Sequence, residues 1–372
     1  MDISRRARRV LFRAADALIG PMDLLAPHPE LYNAPWMCDE FNGMPYRALG
    51  RSGLRASNVG LGTWKFGLPE TGDGARVDEK TAYRIFDRAV ELGVTFWDTA
   101  NRYNAASGNA ERLIGRWLTA NPDQRRNVVI ATKVFGGMDG RTPNHSRLSR
   151  TNILESVYAC LERLQVDTID LLYFHAYDPD TRIDESLTAV EDLVRQDVVR
   201  YFGVSNFTPQ QVRAYQDVQA QLYIRSRIVA LQNQFDILHG QSVPGGLEFC
   251  AWERISFIAY SPLALGLLTE RYLDRAKVSK GDRLYDEGAL DRLATEEAMS
   301  LVQRLADQAH EWSLQLSQLV LAYMLTLPGM GPVIPAVSTA QQLESNAAAG
   351  RVRLTEEQVR RVREITHPSP GR

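Results

Sequence analysis

The sequence is short of lysine, cysteine and long apolar runs, and each shortage closes a class of function. Its 43 basic residues include only five lysines, Lys65, Lys80, Lys133, Lys277 and Lys280, and 45 acidic residues bring the formal net charge to -2. No field of one sign therefore recruits nucleic acid or an anionic membrane. Three cysteines, Cys38, Cys160 and Cys250, are far apart and odd in number. That pattern writes neither a disulfide framework nor a Cys-x-x-Cys metal or redox site, and a reducing cytoplasm is the simplest setting. No apolar run approaches the roughly 20 residues that span a bilayer. Also missing are a P-loop, a Gly-x-Ser-x-Gly elbow and a His-Glu-x-x-His pair, and no metal is expected. Gly60-Leu61-Gly62-Thr63-Trp64-Lys65-Phe66-Gly67 misses the Gly-x-Gly-x-x-Gly spacing of an open doubly wound sheet, so a nucleotide, if bound, is bound by another device.

What is present is ordinary globular composition, 44% hydrophobic and 24% charged over 372 residues. Residues 1–45 stand apart. Ser4-Arg5-Arg6-Ala7-Arg8-Arg9 leads into Leu11, Phe12, Ala14, Leu18 and Ile19, a basic amphipathic pattern ending before Pro21. A secretion signal or surface anchor is one reading, but the apolar part is short and interrupted by Arg13 and Asp16. The other is an appended arm that packs on the body or on a neighbouring subunit, which makes an oligomer an expected partner arrangement.

The body, residues 46–372, is regular. Tyr46 to Ser57 has alternating arms around a Gly-containing turn and predicts a β-hairpin. Eight short apolar runs then alternate with stretches of 3.6-residue periodicity: Val59 to Trp64, Phe96 to Ala100, Val128 to Thr132, Ile169 to His175, Tyr201 to Asn206, Ile228 to Phe235, Ile255 to Ser261 and Val333 to Pro335. Helical patterns follow most of them, the segment around Gly245 being less regular, and Thr355 with Gln358 opens the last as a capping box. The fold class expected is α/β, a (β/α)8 TIM barrel with an N-terminal β-hairpin and an extra N-terminal arm.

Three of those runs carry an ionisable residue at or just past their C-terminal ends: Asp98, Lys133 and His175, with Tyr103 five residues past Asp98. Barrel chemistry gathers at C-terminal strand ends, so these four are the candidate catalytic set. A cation beside a phenol favours the phenolate and brings its proton within reach, Asp98 keeps a buried Lys133 charged, and His175 hydrogen-bonds a carbonyl oxygen. Lysine in a chain that otherwise prefers arginine marks Lys133 as a point charge where a guanidinium would not fit.

In order and setting this tetrad resembles that of the aldo-keto reductase family, from about Tyr46 to Thr366. Gly60-Leu61-Gly62-Thr63-Trp64, Asp98-Thr99-Ala100, Gly203-Val204-Ser205-Asn206 and Tyr260-Ser261-Pro262-Leu263 resemble its signatures. The resemblance, to a bacterial-type member, implies an NADP(H)-linked oxidoreductase, NAD(H) being possible, that reduces a small-molecule carbonyl with Tyr103 as acid. It also implies cofactor contacts from Thr63, Trp64 and Asp98, from Ser205, Asn206, Gln232 and Tyr260 at the nicotinamide, and from Ser261, Pro262, Leu263 and Gly266 along the pyrophosphate. Arg271, Ser338, Gln342 and Asn346 would serve the adenosine end. Departures are Ala336, Ser345 in place of a common Glu, and the lack of an arginine in Val337-Ser338-Thr339.

Substrate would meet Trp64, Tyr103 and His175, although Trp64 fits core packing equally well. The rim would be residues 135–150 and 264–293, and the polar cluster of Asn101, Arg102, Asn104 and His145 leans toward a hydroxylated carbonyl. Two rival readings stand beside this one. Potassium-channel β-subunits resemble the same barrel but typically carry Asn where this chain has His175. An epimerase or lyase on the same barrel would retain its cofactor.

Overall fold

The computed structural model describes residues 38–138, 140 and 142–367, so expectations for residues 1–37 lie outside the described residues. Eight parallel strands follow one another in chain order: β4 (Leu61–Gly62), β5 (Phe96–Asp98), β6 (Val129–Val134), β7 (Ile169–Phe174), β8 (Val199–Ser205), β9 (Ile228–Asp236), β11 (Ser256–Tyr260) and β12 (Met330–Ile334). Parallel bridges from Val59 to Val333 and from Gly62 to Ala336 close the sheet on itself. The expected (β/α)8 barrel is therefore the fold, and a short antiparallel strand β10 (Gly240–Gln241) pairs with β9 outside the ring.

Side-chain caps start several of the helices where the period changes. Asp78 accepts from the Thr81 N–H ahead of the helix Glu79–Glu91, and Ser149 does the same from Asn152 ahead of Arg150–Leu164. Reciprocal capping boxes open Pro209–Gln221 from Thr208 and Glu356–Thr366 from Thr355. The irregular segment around Gly245 contains a further helix, Gly246–Glu253. Its apolar residues surround the axis instead of striping one face, with Trp252 83% exposed, and so no helical period shows in the sequence.

At the N-terminal side of the ring lies a three-stranded antiparallel sheet, β1 (Glu40–Phe41), β2 (Met44–Ala48) and β3 (Arg55–Ser57). The expected hairpin is β2–β3, and Glu40-Phe41 adds a strand ahead of it. Leu49, just past β2, and Ala56 of β3 pack in one buried cluster with Phe96, Ala131, Leu171, Ala230, Ile258 and Ile334, the inward residues of the barrel strands. Gly50 has φ +58, and a Cβ there would lie 2.7 Å from the Val229 carbonyl oxygen, so only glycine lets this plug seat.

Strand geometry then places the site. Side chains alternate with period two, so the next inward residue above each apolar one is two positions on. Above Phe96 comes Asp98, above Ala131 Lys133, above Leu171 Tyr173, above Ala230 Gln232 and above Ile258 Tyr260. The barrel is apolar below and polar at its C-terminal mouth. Among the described residues no helix is long and apolar enough to cross a membrane.

Candidate active site

Lys133 sits at the centre of the polar layer, 1% exposed in its side chain. Its Nζ donates to Asp98 Oδ1 and Oδ2 at 2.7 and 2.6 Å, to the Thr99 carbonyl at 2.8 Å and to the Tyr103 hydroxyl at 2.8 Å. The Tyr103 hydroxyl in turn donates to Asp98 Oδ2 at 3.1 Å. Gln232 Nε2 completes the group, donating to Asp98 Oδ1 at 2.8 Å. The Tyr103 ring lies between two others, its centroid 6.4 Å from that of Trp64 and 6.1 Å from that of His175. Asp98, Tyr103, Lys133 and His175 are thus brought together, as their strand-end positions require. Trp64 is 42% exposed, which places it on the rim and not in the core.

Burial sets the charges. It lowers the pKa of Lys133, and the Asp98 carboxylate, with a smaller contribution from Glu111 behind the strand, opposes that loss. The pKa of Tyr103 is raised well above its ordinary value, first by burial and then by Asp98. This differs from the sequence expectation of a phenol pulled toward phenolate. The carboxylate is hydrogen-bonded to the same hydroxyl as the ammonium, so the resting phenol keeps its proton. His175 is pushed down to about 3 by burial, then by Lys133 and Arg102, and is neutral at physiological pH.

Tyr103 is held by an unusual loop. Asn104, Ala105 and Ala106 all have positive φ, 54°, 55° and 58°, a run of three non-glycine residues in the left-handed region. Asn104 Nδ2 donates to the Phe66 carbonyl at 2.6 Å, tying this turn to the loop after Trp64. Asp73, 6% exposed, accepts from the backbone N–H groups of Leu68 and Ala75 and from Asn109 Nδ2, each at 2.9 Å. Asp73 does not stand out in the sequence, where it reads as a polar loop residue, and Asn104, expected with Asn101, Arg102 and His145 to face a hydroxylated substrate, is instead buried and turned to the Phe66 carbonyl. Tyr173 is a second omission, a fully buried tyrosine whose ring centroid is 5.9 Å from Lys133 Nζ.

The residues expected to meet a nicotinamide dinucleotide lie along the same mouth. Thr63 Oγ1 donates to the Asp98 carbonyl at 2.9 Å, so its hydroxyl fixes β4 against β5. Ser205 is buried, Asn206 has φ +59 and donates to the His175 carbonyl at 2.9 Å, and Tyr260 donates to Asn206 Oδ1 at 2.9 Å. A hydroxyl, two amides and a half-buried ring in one row fit a carboxamide on an aromatic ring. Positive φ at Ser261, Ala264, Leu265 and Gly266 makes the following turn, which also carries Pro262 and Leu263. The Arg271 fork is engaged by Asp282 at 2.5 and 2.7 Å. Ser338 donates to Gln342 through both its N–H and its hydroxyl, just ahead of the helix Ala340–Ala349, where Asn346 is buried. Among the described residues no group of three or more His, Cys, Asp or Glu is placed to hold a metal ion.

A closed barrel with its ionisable side chains gathered at the C-terminal strand ends is the frame of a barrel enzyme. The model of the Aldo/keto reductase family matches residues 58–367, and the chain belongs to that family of oxidoreductases. It is 33% identical over 336 residues to the uncharacterized oxidoreductase YrpG of Bacillus subtilis, covering 88% of this chain and 97% of that one. It is 29% identical over 335 residues to a probable voltage-gated potassium channel subunit beta of Oryza sativa, covering 88% and 98%. With the versiconal hemiacetal acetate reductase of Aspergillus parasiticus it shares 27% over 340 residues, covering 86% and 96%.

Proposed function

We propose that this protein reduces an aldehyde, ketone or keto-sugar carbonyl to an alcohol, with NADPH preferred over NADH and Tyr103 as the proton donor. The observation that carries the reading is the three-way contact of Tyr103, Lys133 and Asp98 inside a buried layer. Bound nicotinamide supplies the hydride, chemistry that no side chain here provides. Ser205, Asn206, Gln232 and Tyr260 would hold its ring end, and Ser338, Gln342 and Asn346 its adenosine end.

The chain's own work is with the proton. A carbonyl oxygen placed between Tyr103 and the neutral His175 accepts hydrogen bonds from both. As charge grows on that oxygen the phenol gives up its proton to it, and the O–H bond of the tyrosine breaks as that of the alcohol forms. Lys133 lies 2.8 Å from the phenol oxygen and stabilises the phenolate left behind. Asp98 keeps the ammonium charged against its burial. Trp64, beside Tyr103, gives the substrate an apolar wall.

A cytoplasmic setting belongs to the same reading, supported by a cysteine content that writes no disulfide framework. The direct test follows NADPH and NADH absorbance against aldehydes, ketones and keto-sugars, with the purified protein assayed first for copurified nucleotide. Saturable consumption that is lost in Tyr103→Phe is expected. Consumption unchanged in that variant sinks the proposed acid, and tight nucleotide binding without turnover of any carbonyl points instead to a regulatory subunit.

A further inference from the structure

We infer that Arg102 decides substrate choice, by binding a carboxylate or phosphate group carried by the carbonyl substrate a few bonds from its reacting carbon. The inference rests on the carbonyl-reductase reading and names the substrate class of that site. Arg102 immediately precedes Tyr103 and is exposed at the mouth. Its stem lies against Gly136, just past the end of β6: a Cβ at Gly136 would meet Arg102 Cδ at 2.1 Å and Nη1 at 2.7 Å. With no Cβ at Gly136, the Arg102 stem packs closely on the loop that follows β6.

The charges around it point the same way. Lys133 is neutralised by Asp98, and His175 is uncharged, its protonation opposed in part by Arg102 itself. Several other arginines near the mouth are occupied: Arg147 by Asp180, Arg76 by Asp286 at 3.1 Å and Arg283 by Glu287 at 3.1 Å. Lys65 Nζ is set over the Trp64 ring, 5.0 Å from its centroid. Among the described residues the Arg102 guanidinium has neither an ion pair nor a side-chain hydrogen bond. A planar fork of unused donors beside the proton donor matches the two oxygens of a carboxylate or phosphate.

Matched substrate pairs test this. Para-formylbenzoate is compared with its methyl ester, and glyceraldehyde phosphate with glyceraldehyde, using wild type, Arg102→Gln and Arg102→Lys. Wild type should favour at least one anionic member, and Arg102→Gln should raise KM for that member roughly 10- to 100-fold, the worth of a lost charge-assisted pair. The neutral partner should change by less than about threefold and kcat should hold, because a remote contact made equally in ground and transition states moves KM. Arg102→Lys should recover part of the loss. Calorimetric titration of benzoate and of inorganic phosphate into the wild type and Arg102→Gln proteins gives a readout without turnover, and the stronger of the two tells carboxylate from phosphate. If wild type shows no preference for either anion, or Arg102→Gln lowers both members of a pair alike, this inference is overturned while the reductase reading stands. Failure to turn over any carbonyl with either nucleotide overturns both.

Discussion

Gln232 and Asp98, 134 residues apart in sequence, meet across the barrel at 2.8 Å. The amide makes Asp98 a shared acceptor for three donors, Lys133, Tyr103 and Gln232. A buried carboxylate with every donor in place is well satisfied, and removing a donor to it costs about 1.5–3 kcal/mol. Gln232→Ala should therefore lower kcat as well as weaken nucleotide binding, because it loosens the carboxylate that holds Lys133. Fluorescence titration of NADPH alongside steady-state kinetics separates the two effects; a pure binding defect with unchanged kcat counts against the shared role.

Lys133→Met should lower kcat by roughly two to four orders of magnitude, the range of a lost acid–base group. It also leaves Asp98 buried without its countercharge, a defect on the order of 3–5 kcal/mol. The double variant Asp98→Asn with Lys133→Met should melt at a higher temperature than Lys133→Met alone and stay inactive. Thermal melts of the three proteins check this, and equal melting temperatures for single and double variants would show that the ion pair is not what the single variant breaks.

His175, with its pKa at about 3, sets two pH profiles. An ordinary histidine titrates near 6.5. Here the unfolded chain binds a proton between those values that the folded chain does not. The stability from the neutral ring is therefore fully present above about pH 6.5 and is lost as pH falls toward 3, on the order of a few kcal/mol at most. Activity should be flat through pH 6.5, without the drop an unperturbed histidine would give. Chemical denaturation and kcat/KM, each measured from pH 4 to 8 in wild type and His175→Gln, test both.

At Asn104 the backbone and the side chain ask for different things. Glycine satisfies φ +54 but loses the bond to the Phe66 carbonyl, while a β-branched residue satisfies neither. Asn104→Gly should stay folded with a reduced kcat, and Asn104→Val should lose roughly 2 kcal/mol or more of stability. Asp73→Asn should resemble Asn104→Gly, since it weakens the same connection between loops. Circular-dichroism melts with single-turnover rates distinguish a displaced Tyr103 from an unfolded loop.

Behind the barrel wall Glu111, fully buried, accepts from Thr132 Oγ1 and from Arg163 Nε, both at 2.6 Å. Glu111→Leu should destabilise on the order of 3 kcal/mol, because it strips a buried guanidinium of its carboxylate. Urea denaturation measures it directly.

How much of this was legible in the sequence divides along physical lines. Asp98, Lys133 and His175 showed because each lies at or just past the end of an apolar run, and strand alternation sends residues of that kind to one mouth. Tyr103 could be listed with them but not placed, since its loop follows left-handed backbone at three non-glycine positions, which leaves no periodic trace. Its raised pKa was also out of reach, as it depends on the carboxylate bonding the same hydroxyl as the ammonium. The partnership of Gln232 with Asp98 needs barrel closure to exist at all. The helix Gly246–Glu253 escaped because apolar residues on every side give no stripe.

The plug formed by Leu49 and Ala56 gives the barrel a single doorway. Water, substrate and product must all reach Asp98 and Lys133 from the strand-end side, so whatever settles deepest must arrive first and depart last. Under the proposed reading, in which the nicotinamide would lie deeper than the carbonyl it reduces, exchange of the nucleotide would wait on departure of the alcohol.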